Sequence, residues 1–206
     1  MSPTPPSAPE AALLEAADLC AERGGRRLWR GLNLQLHAGD CRWLRGANGC
    51  GKTTLLRTLA GLRAPSAGRV TRGTLRYLGH AQALSAELSV SESLRFSASL
   101  QGLSASEPLR PALERLGLLR EAARPVRQLS QGQRRRAALA ALALPQPAGT
   151  VWLLDEPFDA LDDDGVRRLQ GLLDAHARSG GAVLFTSHQE AAALVVCRGD
   201  ELRLSA

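Results

Sequence analysis

CRWLRGANGCGKTTLLRTLAG, residues 41–61, carries the reading of the whole chain. Residues 41–45 have a strand pattern, Gly46, Gly49 and Gly51 make a glycine-rich turn, and residues 54–60 have helical spacing with a stop at Gly61. The run Gly46, Ala47, Asn48, Gly49, Cys50, Gly51, Lys52, Thr53 fits G-x-x-x-x-G-K-[ST] in full. Its place between a strand and a helix is the one a phosphate loop requires. A triphosphate is a dense anion, so the backbone must approach closely with its N–H groups turned inward, which glycines permit by lacking Cβ. The helix N-terminus adds partial positive charge at the same point. Lys52 is placed to reach the β and γ phosphates, Thr53 to ligate Mg²⁺, and Thr54 completes the ATP-binding set. Cys50 reads as a small residue filling a tight loop.

The charge count agrees. Lys and Arg total 26, and Lys52 is the only lysine, leaving 25 arginines. A compact ammonium suits a phosphate cradle in a way that the planar guanidinium fork does not. The chain therefore keeps its one lysine where arginine serves badly.

Further along, residues 151–154 are a fully apolar strand that ends in Asp155 and Glu156. Asp155 is suited to holding Mg²⁺ and Glu156 to polarising an attacking water as general base. Strands expected at 13–19, 28–36, 41–45, 74–78, 151–154 and 182–186 alternate with helices at 54–60, 132–144 and 162–178. A turn is expected over 65–68. Residues 89–119 turn helical, with Pro108 and Pro111 starting a new helix and Pro145 and Pro147 ending the 132–144 helix. Strands buried on both faces and alternating with helices predict an α/β fold with a mostly parallel core sheet.

Composition bounds the rest. The 206 residues are one domain's worth of chain, and 44% hydrophobic content suffices for a core, built from Leu, Ala and Val because aromatics are only 3%. No apolar stretch approaches the roughly 18–20 residues a bilayer span needs. The start, MSPTPPSAPE, reads as a disordered leader over residues 1–10 and not as a secretory signal. Cys20, Cys41, Cys50 and Cys197 are scattered without a metal or disulfide spacing, which suggests a reducing compartment. The net charge of +6 is spread along the chain, so it reads as arginine-rich composition and not as a nucleic-acid surface. His37 and His176 are read as surface residues.

Leu129, Ser130, Gln131, Gly132 and Gln133 resemble the LSGGQ signature of ATP-binding cassette (ABC) ATPases, with Gln131 in place of a glycine. Arg134, Arg135 and Arg136 follow, as basic residues usually do in that family. Asp159, Leu161 and Asp162 resemble its D-loop, and His188 resembles its switch histidine. The resemblance runs from about residue 10 to the end. It implies an ABC-type P-loop fold over residues 11–206, with an antiparallel β subdomain and a helical lobe inserted at about 88–143. It also implies catalysis of ATP hydrolysis by Glu156 and His188 with Mg²⁺. A second copy would pack head to tail, with Ser130 clamping the nucleotide of the other subunit, and integral membrane subunits would receive the work. Where the family carries a γ-phosphate-sensing Gln, this chain has His80, with Gln82 two residues on. No aromatic stands near Glu22 and Arg23 to stack on adenine, which leaves Arg23 as a candidate to do so.

Several segments together are similar to the ATPase subunits of the cytochrome c maturation haem exporter. These are YLGH at 77–80, ELSVSESLRF at 87–96, the signature followed by Gln-x-Arg-Arg, LDEPF at 154–158 and DGV at 164–166. That resemblance implies a peripheral subunit on the cytoplasmic face of the inner membrane, contacting the membrane through its partners and binding no nucleic acid. Three alternatives remain open: an exporter of another small molecule, a soluble ABC ATPase of DNA repair or translation, and a non-hydrolysing nucleotide-binding module. The soluble class usually needs a coiled-coil insertion or two cassettes, and Glu156 with His188 speaks against the non-hydrolysing one.

Overall fold

Val151–Leu154 and Ala182–Phe185 are hydrophobic and buried at every position, so each strand must be covered on both faces, and the architecture follows from that need. The computed structural model describes residues 11–80, 84–103, 109–190 and 201–204. The expected leader at 1–10, together with Gln82, Pro108 and Cys197, lies outside the described residues. In chain order the elements are β1 (Leu14–Arg23), β2 (Arg26–Leu36), β3 (Cys41–Arg45), α1 (Lys52–Leu59), β4 (Ala67–Arg72), β5 (Leu75–Leu78) and α2 (Val90–Leu100). They continue with α3 (Leu109–Arg115), α4 (Gln131–Ala140), β6 (Val151–Leu154), α5 (Asp163–Arg178), β7 (Ala182–Phe185) and β8 (Glu201–Arg203).

The central sheet is parallel in the order β5-β6-β7-β3-β8. Its side chains alternate between two cores, as the two-residue strand period requires. Trp43, Trp152, Leu154, Val183 and Phe185 pack with Leu94 of α2, Leu113 of α3, Leu139 of α4 and Leu173 of α5. Leu44, Val151, Leu153, Ala182 and Leu184 face the other way, onto Leu55 and Leu59 of α1 and Leu14 and Leu36 of the second sheet. That sheet is antiparallel, in the order β2-β1-β4. Together the layers give the predicted α/β fold with a parallel core sheet, and the antiparallel sheet stands apart from it, as the resemblance implies.

The structure moves some boundaries. The expected turn at 65–68 already belongs to β4 from Ala67, because Ala67 pairs with Cys20 across β1. Gly68 fits only as glycine, with φ near +89° and a Cβ there 2.5 Å from the Ala17 and Asp18 carbonyl oxygens. The helix expected to run to 144 stops at Ala140 and tightens into a 3₁₀ turn, Ala141–Ala143. Leu144 is extended with ψ near 154°, the conformation that Pro145 imposes on its predecessor. Pro111 lies inside the first turn of α3, where its missing N–H has no intrahelical partner to lose. The three-residue strand β8 carries too short a pattern for sequence reading to detect.

His176 is not a surface residue. It is half-buried and stacks flat on Trp152, with centroids 3.7 Å apart and planes 5° from parallel. Its Nε2 sits 2.9 Å from the Thr150 carbonyl. Gly181 makes the room, since a Cβ there would collide with the imidazole. We expect Gly181→Ala to expel the ring and destabilise the fold by about 1–3 kcal/mol in denaturant titration. Burial, partly offset by hydrogen bonds to the Thr150 and Ala182 backbone, lowers the His176 pKa. Below about pH 6.5 the unfolded chain therefore takes up a proton that folded His176 resists, and stability falls as pH falls. Gly181→Ala should flatten that dependence; an unchanged slope would separate it from His176.

Candidate active site

The turn after β3 is shaped by contact and by backbone sign. A Cβ on Gly46 would lie 2.6 Å from Cys50 Sγ and 2.8 Å from the Leu204 carbonyl, while Gly49 and Gly51 hold φ near +79° and +103°. Cys50 is buried, filling the loop. Gly51 then caps α1 with no side-chain hydrogen bond, and no acidic residue stands in the first turn. The partial positive charge of the α1 N-terminus is therefore not neutralised by its own helix. The Lys52 ammonium donates to the carbonyls of Gly46 at 2.7 Å and Ala47 at 3.3 Å.

One cleft of about 460 Å³ gathers Asn48, Gly49, Gly51, Lys52, Thr53 and Thr54 with His80, Asp155, Glu156, Asp159 and His188; Arg23 and Leu28 also line it. The parallel order explains the convergence, because β3, β6 and β7 are adjacent and all end on this side. Gly46 lies where the cleft adjoins a second cavity of about 400 Å³, shared with Lys52 and His188. Ala47 lies in the same loop and accepts the Cys50 N–H.

At the floor, Thr53 Oγ1 donates to Asp155 Oδ1 at 3.2 Å. Thr186 makes two bonds that sequence reading missed: its hydroxyl donates to Asp155 Oδ1 at 3.0 Å and accepts the Glu156 N–H at 2.8 Å. The Glu156 carboxylate accepts the His188 N–H at 2.9 Å, and His188 Nε2 stands 3.4 Å from its other oxygen. Burial pushes the Glu156 carboxyl above the usual carboxylate range; His188 opposes that, and the carboxylates of Asp159 and Asp155 add to it. Glu156 also adopts a left-handed backbone, φ near 50°. His80 faces Asp159 at 3.6 Å.

The signature-like segment sits elsewhere. Leu129 is buried in the core, Ser130 caps α4 in a capping box with Gln133, and Gln133 also donates to Glu121. Gln131 is exposed, and a Cβ on Gly132 would meet the Ala160 carbonyl at 2.8 Å. None of these five lines the cleft. Of the D-loop-like residues only Asp159 does so; Leu161 packs on the core, and Asp162 caps α5 through the Gly165 N–H. Sequence reading also passed over Arg135. It lies in the core and donates to the carbonyls of Pro157 at 3.2 Å, Gly79 at 3.4 Å, Asp155 at 3.1 Å and Glu156 at 2.6 Å. Only its position three residues after Gly132, on the same helical face, could have singled it out.

This arrangement of oxygen donors, buried carboxylate and phosphate loop is suited to hydrolysing a nucleoside triphosphate. The family model described as "ABC transporter" matches residues 29–159. The chain is 47% identical to the "Cytochrome c biogenesis ATP-binding export protein CcmA" of Alkalilimnicola ehrlichii, over 85% of this chain and 80% of that protein. It is 42% identical to the protein of the same name from Pseudomonas aeruginosa, over 87% and 95% of the two. A solved ATP-binding subunit of an ABC transporter superposes with a TM-score of 0.83 at 25% identity, covering 93% of this chain and 85% of that one.

Proposed function

Since the chain belongs to the ABC transporter family, we propose that it is the ATP-hydrolysing subunit of an exporter serving cytochrome c biogenesis, with haem as the exporter's cargo. The observation that carries the reading is the convergence of Thr53, Asp155, Glu156 and His188 on the phosphate loop in one cleft. In this reading residues 11–206 form one ATPase domain with a helical lobe at about 88–143. Backbone N–H groups of residues 46–54 and the α1 N-terminus hold the phosphates, and Lys52 neutralises the β and γ charge.

The donor set fits Mg²⁺, a hard cation that takes one or two carboxylates plus phosphate oxygens. Thr53 and Asp155 offer a hydroxyl and a carboxylate oxygen 3.2 Å apart. These two would hold the ion, which supplies neutralisation of phosphate charge when bound. Glu156 takes the proton of the attacking water as the water's oxygen bonds to Pγ and the bond to ADP breaks. His188 orients the Glu156 carboxylate through its N–H and stands ready to contact the γ-phosphate. His80 occupies the sensing position in the cleft.

Leu129–Gln133 lies outside the cleft, and Ser130 and Gln131 are exposed at the start of α4. A head-to-tail second copy would bring this segment onto the nucleotide of its partner. No helix among the described residues is long and apolar enough to cross a membrane. In this reading the chain works with integral membrane subunits, on the cytoplasmic face of the inner membrane. Deleting the gene should abolish covalent haem attachment to c-type cytochromes, with rescue by the wild-type chain and not by Lys52→Ala. Rescue by that variant would sink the ATPase role, and normal cytochromes after deletion would sink the cytochrome c role.

A further inference from the structure

Arg135 is the only lysine or arginine buried in the core among the described residues. Such a charge is tolerated only when its donors are satisfied. Its Nη2 bonds the carbonyls of Asp155 and Glu156, its Nε that of Pro157 and its Nη1 that of Gly79. The carboxylates of Asp159, Asp155 and Glu156 also counter the cost of its burial. The guanidinium thus spans two segments, the end of β5 and the loop leaving β6.

We propose that Arg135 is a positioning residue for hydrolysis: anchored on α4, it holds the backbone at 155–157 so that Glu156 presents its carboxylate to the attacking water. The proposal rests on Glu156 being the base. Glu156 has a left-handed backbone, φ near 50°, which persists in a β-carbon-bearing residue only when its surroundings over-determine it. Here both of its peptide groups are held: Thr186 accepts the N–H at 2.8 Å, and Arg135 donates to the carbonyl at 2.6 Å. The approach that makes this possible comes from Gly132, three residues earlier on the same face of α4, whose missing Cβ lets the helix rest against the Ala160 carbonyl. Lysine could not do the same, because one ammonium on a flexible stem cannot span carbonyls on separate segments as a rigid fork does.

The test is a double-variant cycle on the full chain, with ATP turnover, ATP affinity and thermal melting read for each protein. Arg135→Lys should lower kcat about tenfold or more and leave ATP affinity within about twofold. In a Glu156→Gln background, Arg135→Lys should cause no further loss of residual turnover, because the group it positions has gone. Arg135→Gln, which removes the buried charge, is the second variant should the lysine protein fail to fold. Turnover within twofold of wild type would overturn the proposal, as would an equal loss in both backgrounds. If Glu156→Gln alone kept full turnover, the base assignment would fall instead.

Discussion

Glu156→Gln is expected to lower ATP turnover by about 10²–10⁴-fold, the range a positioned general base contributes, while ATP binding survives. The substitution is nearly isosteric, and the glutamine oxygen can still accept the His188 N–H that now bonds Glu156 at 2.9 Å. What disappears is the site for the proton of the attacking water. Trapping of an ATP-bound dimer in size-exclusion chromatography, with only residual phosphate release, is the expected signature. Full turnover would sink the assignment. The pH dependence gives a second check. Burial raises the Glu156 pKa above its ordinary 4.5, so the acid limb of wild-type kcat should lie above that value. The same shift has a sign for stability: the ionised carboxylate is disfavoured in the folded state. At neutral pH the glutamine variant should therefore melt higher than wild type. The gap should narrow as pH falls through the folded-state pKa and vanish below about 4.5.

Lys52→Arg preserves charge and is nonetheless expected to cost about 10²-fold or more in turnover, comparable to losing a principal donor to the transition state. The ammonium sits 2.7 Å from the Gly46 carbonyl, and Lys52 lines the cleft with Thr53 and Asp155. A guanidinium fork is wider and planar, and it does not reproduce the compact point charge that the phosphates would meet there. Parallel phosphate-release and nucleotide-binding assays should show turnover falling further than affinity. Turnover within about threefold of wild type would refute the point-charge argument and make the lone lysine an accident of composition.

The motif residues were legible because their chemistry is local. A phosphate loop is contiguous and its glycines are needed for backbone reasons, so Gly46–Thr53 could be read without knowing any other part of the fold. Asp155 and Glu156 were legible because a four-residue apolar strand leaves two acids at its end. Thr186 and Arg135 were not, since each acts on Asp155 and Glu156 from 20 to 31 residues away along the chain. In the sequence Arg135 is one of three consecutive arginines; in the structure Arg134 is exposed, Arg136 bonds the carbonyls of Leu116 and Gly117, and Arg135 is enclosed. His176 was misplaced for the same reason, because its neighbour Trp152 arrives from β6.

By itself the sequence determined the phosphate loop, the apolar strands that must be covered on both faces, and the one position that keeps a lysine. These follow from short-range stereochemistry and hydrophobic periodicity, which the chain carries at every point. The tertiary structure decided how the catalytic carboxylate is held. The left-handed turn of Glu156, the hydroxyl of Thr186 and the buried fork of Arg135 meet only when β6, β7 and α4 pack together. Hydrogen bonds between residues distant in the chain have no period for a sequence to display.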